Sequence, residues 1–71
     1  MSRDALKEAR RVQLMEATID CIAAHGFSDL TLADVAKGAG LSVGIVNFYF
    51  KSKDQLLIET LRHLVDDYIQ Q

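Results

Sequence analysis

The sequence predicts an all-α chain, and three observations carry that prediction. Apolar residues recur at helical spacing along most of the 71 residues, no segment shows the apolar–polar alternation of a half-buried strand, and proline is absent. Hydrophobic residues make up 49% and charged residues 25% of the composition, a balance that favours a folded globular chain over a disordered one. The length suffices for one small core, so residues 1–71 are assigned to a single domain.

The first helix is predicted to run from about residue 4 to residue 25. The polar and basic residues 1–11 are expected to fray at their start, and they form either a solvated helix end or an arm that contacts DNA. One apolar stripe follows and is expected to face the core: Val12, Met15, Ile19, Ile22 and Ala23. Polar residues on the opposite side are expected to face water, namely Arg11, Gln13, Glu16 and Asp20, and Gly26 ends the helix.

Residues 31–50 are predicted to form two short helices joined by a tight turn. Thr31 lies directly before the first of these helices, where its hydroxyl can cap free backbone N–H groups. Gly40 can adopt a positive φ at no steric cost, so it ends that helix and turns the chain. Ser42 then caps the second helix in the same way.

The packing expected between these two helices identifies the motif. Small Ala36 allows the second helix to cross closely, and Val46 fills the angle between the helices. The apolar side of the second helix consists of Ile45, Val46, Tyr49 and Phe50. This is the geometry of a helix-turn-helix, whose second helix can lie in the major groove of DNA. The predicted fold is therefore a three-helix helix-turn-helix domain of homeodomain-like type plus a fourth linking helix.

The fourth helix is predicted over residues 53–71 and begins at a capping box, in which Ser52 is followed three residues later by Gln55. Its apolar stripe consists of Leu56, Leu57, Ile58, Leu61, Leu64, Val65 and Tyr68. The stripe still runs where the sequence ends, which indicates a longer parent protein or a helix that meets a partner. An alternative function is therefore a helical protein–protein interaction module that docks through the apolar face of residues 56–69.

The distribution of charge is compatible with DNA binding but does not establish it. The net charge is −2 at pH 7, whereas nucleic-acid-binding domains usually have a basic face. The basic residues nevertheless gather in residues 1–11 and 31–53, while the acidic residues gather in residues 12–30 and 54–71. The second basic zone contains the predicted helix-turn-helix.

Several other classes of function are disfavoured. The glycine-rich run over residues 38–44 does not follow a strand, as a nucleotide-binding loop would, and neither His25 nor His63 belongs to a recognisable acid–base set, so no enzyme is expected. The lone Cys21 is expected to pack as a small apolar residue, and without a Cys/His cluster we expect no metal and no cofactor. No segment resembles a signal peptide or a bilayer-spanning stretch, so a cytoplasmic location is expected by default.

From about residue 11 to residue 57, the chain resembles the DNA-binding domain of the TetR family of bacterial transcription repressors. The matching residues lie at fixed spacing in one unbroken alignment: Gly26, Phe27, Leu30, Thr31, Val35, Ala36, Ala39, Gly40, Leu41, Ser42, Gly44, Tyr49, Phe50, Lys53, Leu56 and Leu57. Within the family, residues 42–46 followed by Tyr49 and Phe50 are most similar to the betaine-pathway regulators.

The resemblance implies an N-terminal DNA-binding domain whose fourth helix leads to a larger helical domain that this sequence lacks. In the family, that second domain binds a small-molecule inducer and forms a homodimer. The dimer binds a palindromic operator in double-stranded DNA and releases it when the inducer binds. For this short chain alone we expect a monomer with weak DNA affinity, and we expect no membrane partner.

The resemblance also implies which residues contact DNA. Phosphate contacts are implied for Thr31, Tyr49 and Lys53, and groove contacts for Ser42, Val43, Gly44, Asn47 and Phe48. Many members carry tyrosine in place of Asn47 and a polar or basic residue in place of Phe48, so their base preferences do not transfer to this chain. Asn47 could pair with adenine N6 and N7, at about 1–3 kcal/mol of discrimination, and Phe48 could contact a thymine methyl. Alternatively, Asn47 faces only water and Phe48 packs locally.

Overall fold

The computed structural model describes residues 2–69, which form four helices and no strand. The helices are α1 (Arg3–His25), α2 (Leu32–Ala39), α3 (Val43–Tyr49) and α4 (Lys53–Ile69). Helix α1 packs against α2 and α4, and α2 packs against α3. The predicted all-α architecture is confirmed. Residues 70 and 71, where the fourth helix was predicted to continue, lie outside the described residues. None of the four helices in this part of the chain is long and apolar enough to cross a membrane.

The first helix begins at Arg3, within one residue of the predicted start. Residues 3–9 are exposed, as expected of a solvated helix end, and the helix is already formed at residue 3. The reason is an N-cap: the hydroxyl of Ser2 accepts a hydrogen bond from the backbone N–H of Ala5 at 3.1 Å, and Asp4 places a negative charge in the first turn. Both features stabilise the start of a helix.

The core lies where α1 meets its two neighbours. Its buried hydrophobic residues are Leu14, Met15, Ala17, Leu30, Val35, Ala36, Val46, Phe50, Leu56 and Leu57. The stripe predicted for α1 is therefore partly wrong, because Ala23 is exposed whereas Leu14 and Thr18 are fully buried. Since α1 contacts α2 and α4 together, its buried face is centred between the two partners. Thr18 is tolerated there because its hydroxyl donates to the carbonyl oxygen of Leu14 at 2.8 Å.

Helix α4 buries only the side chains near its start. Leu56 and Leu57 enter the core together with Thr60, whose hydroxyl donates to the carbonyl oxygen of Leu56 at 2.7 Å. The remaining apolar residues of α4 are exposed: Ile58, Leu61, Leu64, Val65, Tyr68 and Ile69. The apolar stripe predicted for this helix thus divides into a core segment and a segment that no described residue covers.

Candidate nucleic-acid interface

The two helices of the predicted motif begin and end at the residues that the sequence indicated. The hydroxyl of Thr31 accepts from the N–H of Asp34 at 3.1 Å, and the hydroxyl of Ser42 accepts from the N–H of Ile45 at 3.2 Å. Gly40 adopts the left-handed conformation, with φ 71° and ψ 28°, and its N–H donates to carbonyl oxygens at the end of α2. These local bonds set the corner between α2 and α3.

The inner side of α3 is held firmly in the core. Val46 and Phe50 are fully buried, Ala36 of α2 is nearly so, and Tyr49 packs against the same cluster. The prediction that Ile45 also belongs to this apolar side is wrong, because 39% of the residue is exposed. At about 100° per residue, Ile45 lies beyond the arc that Val46, Tyr49 and Phe50 form.

The outer side of α3 presents one continuous set of exposed residues, which we call the reading face: Val43, Gly44, Ile45, Asn47 and Phe48. Four of the five were predicted as groove-contacting residues, and Ser42 is exposed directly before them. Ile45 was missed because it was assigned to the core. A helical projection centred on Val46 and Phe50 would have found it. The ring of Phe48 contacts that of Tyr49 edge-on, with centroids 5.0 Å apart and an interplanar angle of 83°.

The three residues predicted to contact phosphates lie at helix ends near the motif. Thr31 is exposed at the start of α2, and Tyr49 is half-buried at the end of α3. Lys53 is half-buried as the first residue of α4, and Lys51 is exposed in the connection before it. The sequence assigned no role to Lys51, although it counted toward the basic zone. The structure describes these positions without DNA, so their contacts stay predictions.

Two polar residues of α1 that were expected to face water also tie α1 to other parts of the fold: Gln13, which is exposed, and Arg11, which is half-buried. The side-chain N–H of Gln13 donates to the carbonyl oxygen of Ala39 at 2.9 Å, which anchors the end of α2. The guanidinium of Arg11 donates to the carboxylate of Glu59 on α4 and lies 5.4 Å from the centroid of the Phe50 ring. Both bonds join segments that are distant in sequence, so periodicity alone could not reveal them.

The carboxylate of Glu59 extends this contact to the connection between α3 and α4. Its second oxygen accepts from the side-chain N–H of Gln55 at 3.0 Å, and the side-chain oxygen of Gln55 accepts from the backbone N–H of Lys51 at 2.8 Å. The backbone N–H of Gln55 donates in turn to the hydroxyl of Ser52 at 3.0 Å, which confirms the Ser52 half of the predicted capping box, while the side chain of Gln55 accepts from Lys51 and not from Ser52. A chain of hydrogen bonds thus fixes the segment that carries Lys51 and Lys53.

We expect Glu59→Gln to destabilise the fold by about 1–2 kcal/mol at pH 7, because the charged hydrogen bond to Arg11 is lost from a half-buried pair. The hydrogen bond from Arg11 lowers the pKa of Glu59, and this outweighs the opposing effect of burial. A carboxylate with a lowered folded-state pKa stabilises the fold above its unfolded pKa of about 4.3 and loses that contribution as the pH falls through the folded pKa.

Urea unfolding of the unaltered chain and of Glu59→Gln, measured between pH 7 and pH 3, tests this expectation. The difference in unfolding free energy should be largest near neutral pH and should shrink below about pH 4.3. Glu16→Gln, at an exposed position of the same α1 that carries Arg11, is the matched control and should change stability by less than about 0.5 kcal/mol. A difference that stays constant across the whole pH range would show that the charge of Glu59 is not what stabilises the fold.

Comparison with known proteins shows that the chain is similar to bacterial regulatory proteins. The family model described as bacterial regulatory proteins, tetR family, matches residues 14–60. A protein of Paraburkholderia phymatum, the HTH-type transcriptional regulator BetI, is 46% identical over 67 residues, which cover 94% of this chain and 34% of that protein. The BetI of Paraburkholderia phytofirmans is 44% identical over 70 residues, covering 99% of this chain and 36% of that protein. The BetI of Burkholderia cenocepacia is 45% identical over 67 residues, covering 94% and 34%. The chain thus spans about a third of the length of these curated relatives. No solved structure matches it.

Proposed function

The chain belongs to the TetR family of bacterial regulatory proteins, and from that premise we propose that it binds duplex DNA sequence-specifically as the DNA-reading part of a ligand-responsive transcription repressor. The observation that supports the proposal is that α3 has one buried and one exposed side. Its inner side is buried against α2, while its outer side exposes a continuous face that nothing in the described chain covers. A helix held in this way can enter a major groove without leaving the core.

Phosphate contacts would set the position of the domain on the duplex. The hydroxyl oxygen of Thr31 accepts from the N–H of Asp34, which leaves its O–H free to donate to a phosphate oxygen at the start of α2. The phenol of Tyr49 and the ammonium of Lys53 can each donate to a phosphate from the other end of α3. These contacts give affinity that depends on salt and carries no sequence information.

Base contacts would come from the reading face. Val43 and Gly44 in the first turn of α3, with Ser42 directly before them, would approach the groove first. Asn47 carries an amide that can donate to N7 and accept from N6 of adenine, and Phe48 can contact a thymine methyl. Both residues are exposed, and Phe48 remains 63% exposed although its ring contacts that of Tyr49, which supports a base-reading role for both.

The intact protein is proposed to act as a homodimer on a palindromic operator, with half-sites roughly 34–36 Å apart or a multiple of that distance. The support is the length comparison, because the relatives are about three times as long as this chain and have room for a second domain. In this proposal α4 links the DNA-binding domain to that second domain, which would bind the inducer and form the dimer.

The exposed apolar residues of α4 favour a second candidate function, a helical protein–protein interaction module. A groove of about 180 Å³ lies between α1 and α4 and is lined by Ile19, Ile22, Phe27, Leu57, Thr60, Leu61 and Leu64. Docking into such a groove buries apolar surface and is almost insensitive to salt, whereas a domain that contacts Z phosphates shows a logarithmic salt slope near −0.9Z. Salt dependence therefore separates the two functions.

We expect Gly44→Ala to make the chain more stable and a weaker DNA binder. An added Cβ would meet only the hydroxyl oxygen of Ser42, at an ordinary 3.8 Å, so replacing a helical glycine should raise stability by about 0.5–1 kcal/mol. The same methyl group would project from the middle of the reading face and hold the backbone away from the bases. We expect a loss of DNA affinity of roughly tenfold, or about 1.4 kcal/mol.

Thermal unfolding and duplex-binding titrations of the Gly44→Ala variant measure these two effects separately. Gly40→Ala is the matched control, since the positive φ of Gly40 makes an added Cβ unfavourable and should lower stability by about 1 kcal/mol. Unchanged DNA affinity in Gly44→Ala would contradict the close approach of this backbone to the bases.

The proposed function is tested by selecting random duplex DNA with the whole chain, alone and as two tethered copies, and then titrating the enriched sequence at several salt concentrations. Enrichment of a short half-site with a steep salt slope supports sequence-specific binding. Binding without sequence preference would reject the base-reading roles. No binding at low salt, even for the tethered copies, would reject the function and favour the interaction module.

A further inference from the structure

The reading face is unusual in its chemistry, because helix α3 carries no charged residue. Its sequence is VGIVNFY, so neither arginine nor lysine belongs to the helix that would enter the groove. Three of the exposed residues are apolar, namely Val43, Ile45 and Phe48, which are 42%, 39% and 63% exposed. The amide of Asn47 is the only polar side chain on the face.

This composition is poorly matched to G·C pairs. Guanine presents two hydrogen-bond acceptors, O6 and N7, in the major groove, and arginine or lysine usually satisfies them. Apolar side chains pressed against these atoms would remove their water without replacing its hydrogen bonds, which is unfavourable. Thymine instead presents a C5 methyl group, which gains from contact with an apolar side chain.

The order of the side chains around α3 places the one amide among the apolar side chains. At about 100° per residue, the face runs from Val43 through Asn47, Gly44 and Phe48 to Ile45. The amide of Asn47 therefore lies between Val43 on one side and Gly44 on the other, and Phe48 follows beyond Gly44, which has no side chain. The edge-on contact with Tyr49 restricts the ring of Phe48, so this ring loses less conformational freedom when it contacts DNA.

We propose that the reading face selects an A·T-rich half-site, in which the 5-methyl groups of two or more thymines contribute to the discrimination beside the hydrogen bonds of Asn47. Asn47 reads one adenine, and Val43, Ile45 and Phe48 contact thymine methyls beside it. This inference rests on the proposed function, because it concerns which base pairs the same face recognises.

The test uses the 71-residue chain and its selected duplex, with each thymine of the half-site replaced in turn by deoxyuridine. The replacement removes only the 5-methyl group and preserves base pairing. Burial of one methyl group corresponds to roughly a fourfold change in affinity. We expect a loss of about this size at two or more thymines, and losses below about 1.5-fold at thymines outside the contacted core.

A matched pair of variants assigns one methyl contact to its side chain. In Phe48→Ala the penalty of deoxyuridine at one thymine should fall to less than about 1.5-fold, because the methyl has already lost its partner. In Val65→Ala, which alters a similarly exposed apolar residue on α4, every penalty should remain. Both variants concern exposed side chains, so both should fold.

Each outcome decides the proposal. A G·C-rich selected half-site, or equal affinity for the thymine and deoxyuridine duplexes while binding stays sequence-specific, overturns methyl readout and leaves the proposed function intact. Penalties that persist unchanged in Phe48→Ala remove this residue from the readout and overturn the proposal as stated. Absence of any duplex binding at low salt rejects the proposed function, and the inference with it.

Discussion

Phe50→Ala is expected to remove most of the stability of this chain. Phe50 is fully buried, ends α3 with a hydrogen bond from its N–H to the carbonyl oxygen of Val46 at 2.8 Å, and lies beneath the guanidinium of Arg11. Truncating a buried phenylalanine costs about 3–5 kcal/mol, and a cation–π contact adds about 0.5–1 kcal/mol. Native chains are stable by about 0.05–0.15 kcal/mol per residue, so a chain of this size has about 4–11 kcal/mol in total.

The experiment is urea unfolding followed by circular dichroism, with Phe48→Ala as the control. The two phenylalanines are two residues apart, Phe48 within α3 and Phe50 directly after it, yet Phe48 is 63% exposed and Phe50 is fully buried. Phe48→Ala should therefore change stability by less than about 0.5 kcal/mol, whereas Phe50→Ala should be largely unfolded or lose at least about 3 kcal/mol. Similar losses in both variants would contradict the placement of α3, because they would require the reading face to be buried.

The helix ends could be predicted from sequence because the interactions that set them are local. Thr31 and Ser42 each bond to an N–H three residues away, and Gly40 provides its positive φ without help from distant residues. The buried face of α1 could not be predicted as well, because it depends on two packing partners. Thr18 in particular is polar by type, and only its bond to the carbonyl oxygen of Leu14 makes its burial acceptable.

The candidate site also has a part that could be predicted from sequence and a part that could not. Spacing and resemblance predicted the exposed residues of α3, except that Ile45 was assigned to the wrong side of a helix only seven residues long. The contact between α1 and α4 that helps to position the site could not be predicted from sequence. Arg11 and Glu59 are 48 residues apart, and their pairing arises only when α1 and α4 pack together. Such long-range contacts leave no periodic signal in the sequence.

Asn47→Ala and Lys53→Ala are expected to weaken DNA binding in two distinguishable ways. Asn47 is exposed on the reading face, and losing a bidentate adenine contact should remove about 1–3 kcal/mol of discrimination at one base pair, or roughly 5- to 150-fold. Lys53 lies at the start of α4, where its ammonium would neutralise a phosphate. Its loss should weaken binding to every sequence by a similar factor and reduce the logarithmic salt slope by about one unit.

The measurement is a titration of both variants against the selected operator and all its single-base-pair replacements, at several salt concentrations. Each variant is the control for the other. Asn47→Ala should keep the salt slope and lose the base preference at one position of the operator. Lys53→Ala should keep the base preference at every position and show a smaller salt slope. If Asn47→Ala ranks all operator variants as the unaltered chain does, Asn47 does not read a base. If Lys53→Ala changes the ranking but not the slope, that lysine does not neutralise a phosphate, and α4 must meet the DNA in another way.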